Sequence, residues 1–322
     1  MKAFKSDSSN SKSGQKSNLV AKSARNILVS ILLVVGTQSY AQKAEQVISI
    51  SGTEFTSPLI KRWITEYSKI NPGLKFRLIN EQEKGTQSDL QIIAHTPDKG
   101  EIGDNKTLVK IARVAILPIT NEKSILFAKE FKKGVKQERL KAIFTNDQDK
   151  LDSVQSKVKE PEYTVYTKSP QSSVAKVISS YLGKQSEDLK GIYVSGDDLY
   201  LNTSILDDST GISYNNLGLI YDLDKRTPIS GIRILPIDLN NNGRLDKEEL
   251  IYSNLDQVIT FLENTKNAAV PTDNISFVTD KKGSNQAVAN FVNWVKGLGQ
   301  EYNHQYGFLN NAVVKDYALT QK

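Results

Sequence analysis

Residues 238–249 read Asp-Leu-Asn-Asn-Asn-Gly-Arg-Leu-Asp-Lys-Glu-Glu. Asp238, Asn240 and Asn242 occupy positions 1, 3 and 5 of a twelve-residue oxygen-ligand loop. Gly243 holds the sharp turn at position 6, Asp246 stands at position 9 and Glu249 at position 12. A hard cation such as calcium is surrounded by oxygens. This spacing offers three carboxylates, two amides and the main-chain carbonyl of Arg244, with Glu249 binding through both oxygens. Two Asn among the ligands predict weak to moderate affinity. The preceding Arg233–Ile237 is β-like and contains Pro236, so no helix enters the loop. The expected motif is strand, loop, helix: a single structural calcium clip, without the paired helices that switching needs. An Asx-rich turn that binds nothing is the competing reading.

A second stretch with chemical potential is Val47–Gly73. The apolar run Val47–Ile50 stops at Ser51-Gly52-Thr53, and a helix follows with Ser57 as N-cap and Pro58 in its first turn. Leu59, Trp63, Tyr67 and Ile70 fall on one face, and Asn71-Pro72-Gly73 ends the helix. A helix N-terminus behind a polar loop is an anion site in principle, or simply an ordinary βα unit. Catalytic patterns are lacking. The chain has two histidines (His95, His304) and no cysteine, and it carries no G-x-S-x-G elbow, Walker loop, G-x-G-x-x-G or H-E-x-x-H. The acidic pairs Asp197-Asp198 and Asp207-Asp208 read as solvated turns.

These residues must be placed by alternating strands and helices. Strands are expected at 74–78, 89–94, 109–119, 163–166, 232–237 and 275–279, and helices at 138–144, 172–182, 255–263 and 285–302. Alternation of this kind predicts an α/β fold with parallel sheets covered by helices.

The first 41 residues read as a secretory signal: a basic stretch, the apolar core Ile27–Gly36 and a small-x-small site ending at Ala41. That segment holds six of the 42 Lys and Arg and one of the 36 acidic residues, leaving 36 against 35. The basic balance therefore belongs to the expected leader, and no electrostatic case for nucleic acid remains. Without cysteine there is no disulfide, thiol chemistry or Cys-ligated metal.

Several stretches resemble the periplasmic phosphate-binding proteins of ABC uptake systems. Gly52–Leu59 with Trp63 and Tyr67 looks like their opening, and Val114–Asn121 like the strand crossing between their lobes. Leu140–Thr145, Gly211–Tyr214, and Ile275–Gly307 with Gly299–Tyr302 are similar to later parts of the family in order and spacing. The closest likeness is to Bacteroidetes-type variants with an inserted calcium loop. The resemblance implies a two-lobed periplasmic binding protein (flytrap) fold with one discontinuous lobe, 46–117 plus 273–322, and a second lobe at 118–272. It implies a periplasmic or secreted, monomeric solute-binding protein that closes on phosphate or another small anion and delivers it to an ABC permease.

By position, the resemblance places ligand at Thr53, Glu54, Phe55, His95, Lys168, Ser172 and Ser173. Several of these depart from the family pattern. Glu54 stands where the family has a phosphate-binding Thr. His95 or Thr96 stands near its ligand Asp. Lys168 replaces its Arg, Val174 replaces a Thr, and the Gly-Ser-Gly loop is missing from Glu81–Ser88. The alternative function is therefore a non-transport module for protein or envelope contacts, fastened by calcium.

Overall fold

In the computed structural model the described residues are 46–79, 83, 87–146, 163–265, 269–283 and 285–311. The expected signal segment and most of the 81–88 loop lie outside them. The strands are β1 (Gln46–Ser51), β2 (Leu74–Ile79), β3 (Leu90–Ile93), β4 (Lys106–Asn121), β5 (Thr164–Thr167), β6 (Ile192–Tyr193), β7 (Gly211–Asn216), β8 (Ile232–Ile234) and β9 (Thr272–Asp280). The helices are α1 (Ser57–Ile70), α2 (Ala128–Lys133), α3 (Gln137–Phe144), α4 (Ser173–Tyr181), α5 (Leu199–Asp207), α6 (Leu217–Ile220), α7 (Leu255–Asn264) and α8 (Gln286–Lys296). Among the described residues no helix is long and apolar enough to cross a membrane.

The strands run β2-β1-β3-β9-β4-β7-β5-β6, with β8 also on β4. Strand β4 joins two half-sheets. Its residues Lys106–Ala115 pair with β9, and Ile116–Thr120 pair with β7. A buried run of this length can serve both halves because its C-terminal part is apolar on both faces. The expectation of parallel sheets is only partly met. β1 pairs parallel with β2 and β3, and β5 with β6 and β7. The pairs β3–β9, β4–β9, β4–β7 and β4–β8 are antiparallel. Alternation along the chain reports βαβ units; the returning strands β4 and β9 make long-range pairs that no local pattern encodes.

Helix α1 buries Leu59, Ile60, Trp63 and Tyr67. Trp63 Nε1 donates to the Gly299 carbonyl at 2.7 Å, and Tyr67 packs edge-on to Phe76 and Phe291. Two local expectations are corrected. Thr56, not Ser57, is the N-cap, because a 3-10 turn at Glu54–Thr56 runs straight into the helix. Ile70 is exposed, since the last turn overhangs the core before Asn71 ends it. The helix expected at 285–302 stops at Lys296. Gly297 breaks it, and a 3-10 helix, Leu298–Tyr306, follows.

Candidate functional site

The cleft lies at the C-terminal ends of β1, β3, β5 and β6, where open α/β sheets place their ligands. Its volume is about 870 Å³. Thr53, Glu54, Phe55, His95, Lys168, Ser172 and Ser173 all line it. They come from three separate segments, which follow β1, β3 and β5, so the sheet brings them together. Gly52 ends β1 beside Ile92, whose Cβ would lie 2.8 Å from any Cβ added there, so only glycine lets the chain turn into the cleft floor.

Most of the polar groups are already engaged. Lys168 is 4% exposed. Its Nζ donates to the carbonyls of Gly196 at 2.5 Å and Asp197 at 3.3 Å, and lies 3.8 Å from the Asp198 carboxylate. The Ser172 hydroxyl caps α4 by accepting from Ala175 N–H at 3.2 Å. Ser173 Oγ bonds His95 Nδ1 at 2.9 Å, and His95 Nε2 meets Glu101 at 2.8 Å. Thr53 Oγ1 lies 3.3 Å from Thr56 Oγ1. Both ring nitrogens of the buried His95 are therefore occupied within the protein. Neighbouring Thr96 donates its N–H and hydroxyl to Asp273, each at 2.7 Å.

His95 and Glu101 belong to the β3–β4 connection, Ser173 and Lys176 to α4. Lys176 adds ion pairs to Glu101 at 2.7 Å and Asp98 at 3.2 Å. Burial pushes the Glu101 carboxyl up, but Lys176, the Asp98 N–H and His95 together hold it at about 2. These contacts clamp the β3 side of the cleft to the N-terminal end of α4.

Asp198 was missed by the sequence reading, which took it for a solvated turn. Its side chain is only 14% exposed and lines the cleft opposite Lys168. Burial pushes its carboxyl up to about 6; Lys168 opposes the shift, while Asp197 and Glu54 reinforce it. The one available signal was its position just before an apolar helix. Arg62 pairs with Glu66 at 3.2 Å and lies over the Tyr302 ring.

The 238–249 loop stands apart from the cleft. Asp238 accepts the N–H of Asn242 at 3.1 Å and of Gly243 at 2.7 Å. Glu249 accepts from Leu239 at 2.7 Å, Asn240 at 3.1 Å and Asp246 at 2.9 Å. The Nδ2 atoms of Asn240 and Asn242 both meet Asp246 Oδ2, at 2.9 and 2.7 Å. Gly243 has φ +82°, the left-handed turn its position requires. The loop leads into a 3-10 turn, Lys247–Glu249, rather than directly into the expected helix, because the Asp246–Glu249 capping box closes the chain early. Among the described residues no three His, Asp or Glu side chains by themselves form a metal-sized cluster. The Oδ1 atoms of Asn240 and Asn242 accept the N–H groups of Asn242 at 3.0 Å and Arg244 at 2.9 Å, which fixes both amides with their donors toward Asp246.

Residues 36–297 match the family model of the PBP superfamily domain. The chain belongs to the PBP superfamily. The structure is similar to a substrate-binding protein from Clostridium perfringens, assigned to phosphate ABC transport and solved with bound phosphate. That match has TM-score 0.58 and 13% identity and covers 83% of this chain and 100% of the other. An ABC-type phosphate transport receptor from Vibrio cholerae matches with TM-score 0.55 and 11% identity, over 82% of this chain and 100% of that one. No curated protein matches. At these identities the PBP-superfamily likeness is one of fold, and the site must be argued from its own residues.

Proposed function

We propose that this PBP-superfamily protein is an exported, periplasmic or secreted solute-binding protein that captures a small solute in the cleft and presents it to an ABC permease. The carrying observation is that Thr53, Glu54, Phe55, His95, Lys168, Ser172 and Ser173, spread over three segments, line one cleft between half-sheets joined through β4. The lobe assignment 46–117 with 273–322 against 118–272, the expected leader 1–41 and a monomeric state are parts of this reading. The role is capture rather than catalysis, in keeping with the binding proteins among its structural neighbours.

Phosphate or another small anion is one ligand reading. It is favoured by the N-terminus of α4, where Ser172 and Ser173 face the cleft. Calcium has a separate, structural place in the proposal. Asp238, Asn240, Asn242, Asp246, Glu249 and the Arg244 carbonyl would hold it, fastening the segment between β8 and α7.

The test is small-angle scattering and thermal unfolding of the full chain. Probes are phosphate, sulfate, molybdate, small carboxylates and small amines, each with calcium or with chelator. Solute capture predicts compaction and a higher midpoint with one solute class. A response to calcium alone would sink solute capture and leave the calcium-fastened interaction module.

A further inference from the structure

We propose that Asn242 is a site of spontaneous modification: its side-chain amide reacts with the main-chain nitrogen of Gly243 and deamidates, adding a carboxylate to the 238–249 loop. Asn242-Gly243 is the one Asn-Gly step in the chain. Two atoms must meet there, the Gly243 nitrogen as nucleophile and the Asn242 Cγ as electrophile. Glycine places no Cβ beside that nitrogen. Among the described residues, a Cβ built at Gly243 would meet only the flexible end of Lys136, Nζ at 3.7 Å and Cε at 3.8 Å, so no packed wall blocks the approach. Asn242 itself is exposed.

The loop also prepares the electrophile. Asn242 Oδ1 accepts the Arg244 N–H at 2.9 Å. Negative charge gathers on this oxygen when the nitrogen attacks, and a donor already aimed at it stabilises that charge. Lys136 Nζ, which donates to the Asn241 carbonyl at 3.2 Å, sets a cation beside the same peptide groups and favours loss of the Gly243 proton. One contact opposes the reaction. The Gly243 N–H donates to Asp238 Oδ2 at 2.7 Å, and an anionic acceptor keeps the proton on nitrogen. The other charges act on the far end of the amide: Asn242 Nδ2 donates to Asp246 Oδ2 at 2.7 Å, and Asp246 pairs with the Arg244 guanidinium. Asp238 is therefore the restraint, and local opening of the loop sets the rate.

The step needs only water and hydroxide. Hydroxide removes the Gly243 proton, the nitrogen bonds to Cγ, and the Cγ–Nδ2 bond breaks. Nδ2 takes a proton from water and leaves as ammonia, giving a five-membered cyclic imide. Water then opens the ring at either carbonyl, to aspartate or to isoaspartate, whose main chain runs through the former side-chain carbonyl. In the aspartate form the 2.7 Å contact with Asp246 becomes a contact between two carboxylates. That costs stability until a cation sits between them. Only this last consequence rests on the reading of the loop as a calcium site.

Peptide mass spectrometry with isoaspartate detection tests the proposal on the full chain, incubated folded in neutral and in alkaline buffer, and unfolded in urea. The expected result is a gain of about 1 Da on the peptide spanning Asn242, faster in alkaline buffer and fastest in urea. Asp238→Ala should react faster than the parent, with thermal unfolding confirming that it folds, and Asn242→Ser should abolish the gain on that peptide. No gain in the folded parent, or a gain that persists in Asn242→Ser, overturns the site. An Asp238→Ala rate no higher than the parent's overturns the restraint. Asn242→Asp, the product in pure form, should melt below the parent in chelator and gain more from calcium. An equal gain from calcium would count against the calcium reading alone, since the mass result stands without it.

Discussion

The 238–249 loop and the cleft are both polar, yet they are assembled in opposite ways. The loop draws every side chain from one run of twelve residues, and its carboxylates are held by the run's own N–H groups. The cleft draws its groups from segments that meet only through the sheet, and those groups satisfy one another across it. A contiguous site carries its geometry in its spacing. A dispersed site shows in the sequence which residues arrive and hides which partners they choose on arrival.

The largest effect should separate backbone from metal in the loop. Glu249 is buried and accepts three N–H groups. Glu249→Ala leaves these donors unmatched, and a loss on the order of 4 kcal/mol is expected from denaturant unfolding. Much of that loss should persist in chelator, because the backbone bonds exist without an ion. If it vanishes in chelator, the loop is organised by metal and the contrast with the cleft fails.

Asp198 gives the matching test in the cleft. An ordinary aspartate titrates at 3.8 and this one at about 6. Between those values the folded protein binds more protons than the unfolded chain. Stability therefore falls as pH rises through that window, and the cost is complete above about 6. Asp198→Asn should thus look better against the parent at about pH 8 than at about pH 4, by up to about 3 kcal/mol. The attraction of Lys168 acts on the ionised carboxylate and is already contained in the value of about 6. A difference of zero would mean that Glu54, Asp197 and burial do not act on Asp198 as described.

The clamp between the β3–β4 connection and α4 should matter less. Glu101 is held at about 2 against an ordinary 4.5, so its contribution is present above 4.5 and lost as pH falls toward 2. Because the side chain is 29% exposed, Glu101→Gln should cost only about 1 kcal/mol near neutral pH, read from chemical unfolding. The same variant should leave the calcium response of the loop untouched.

Legibility followed the same divide. The sharp turn at Gly243, the β1–α1 unit and the crossing strand were readable because each lies in one uninterrupted segment with its own periodicity or turn residues. The antiparallel returns of β4 and β9 were not, since their partners are up to 174 residues away, as in Lys106 to Asp280. His95, Lys168 and Ser173 line the cleft, but nothing local reveals that Ser173 and Glu101 take both nitrogens of His95. Asp198 escaped notice because Asp-Asp before a helix is a common solvated start. Its burial depends on β5 bringing Lys168 alongside.

The smallest expected effect discriminates most finely within the loop. Arg244 has two roles to separate: its side chain pairs with Asp246 at 2.9 Å, while its carbonyl occupies the main-chain ligand position. The side chain is 76% exposed, where an ion pair contributes at most about 0.5 kcal/mol. Arg244→Ala removes the pair and keeps the carbonyl. Stability in chelator should therefore barely move, and calcium should raise the melting midpoint as much as in the parent, or slightly more now that no guanidinium competes for Asp246. A calcium response abolished by Arg244→Ala would mean that the guanidinium is needed to hold Asp246 in place, and that the twelve-residue oxygen spacing alone does not prepare the loop for the ion.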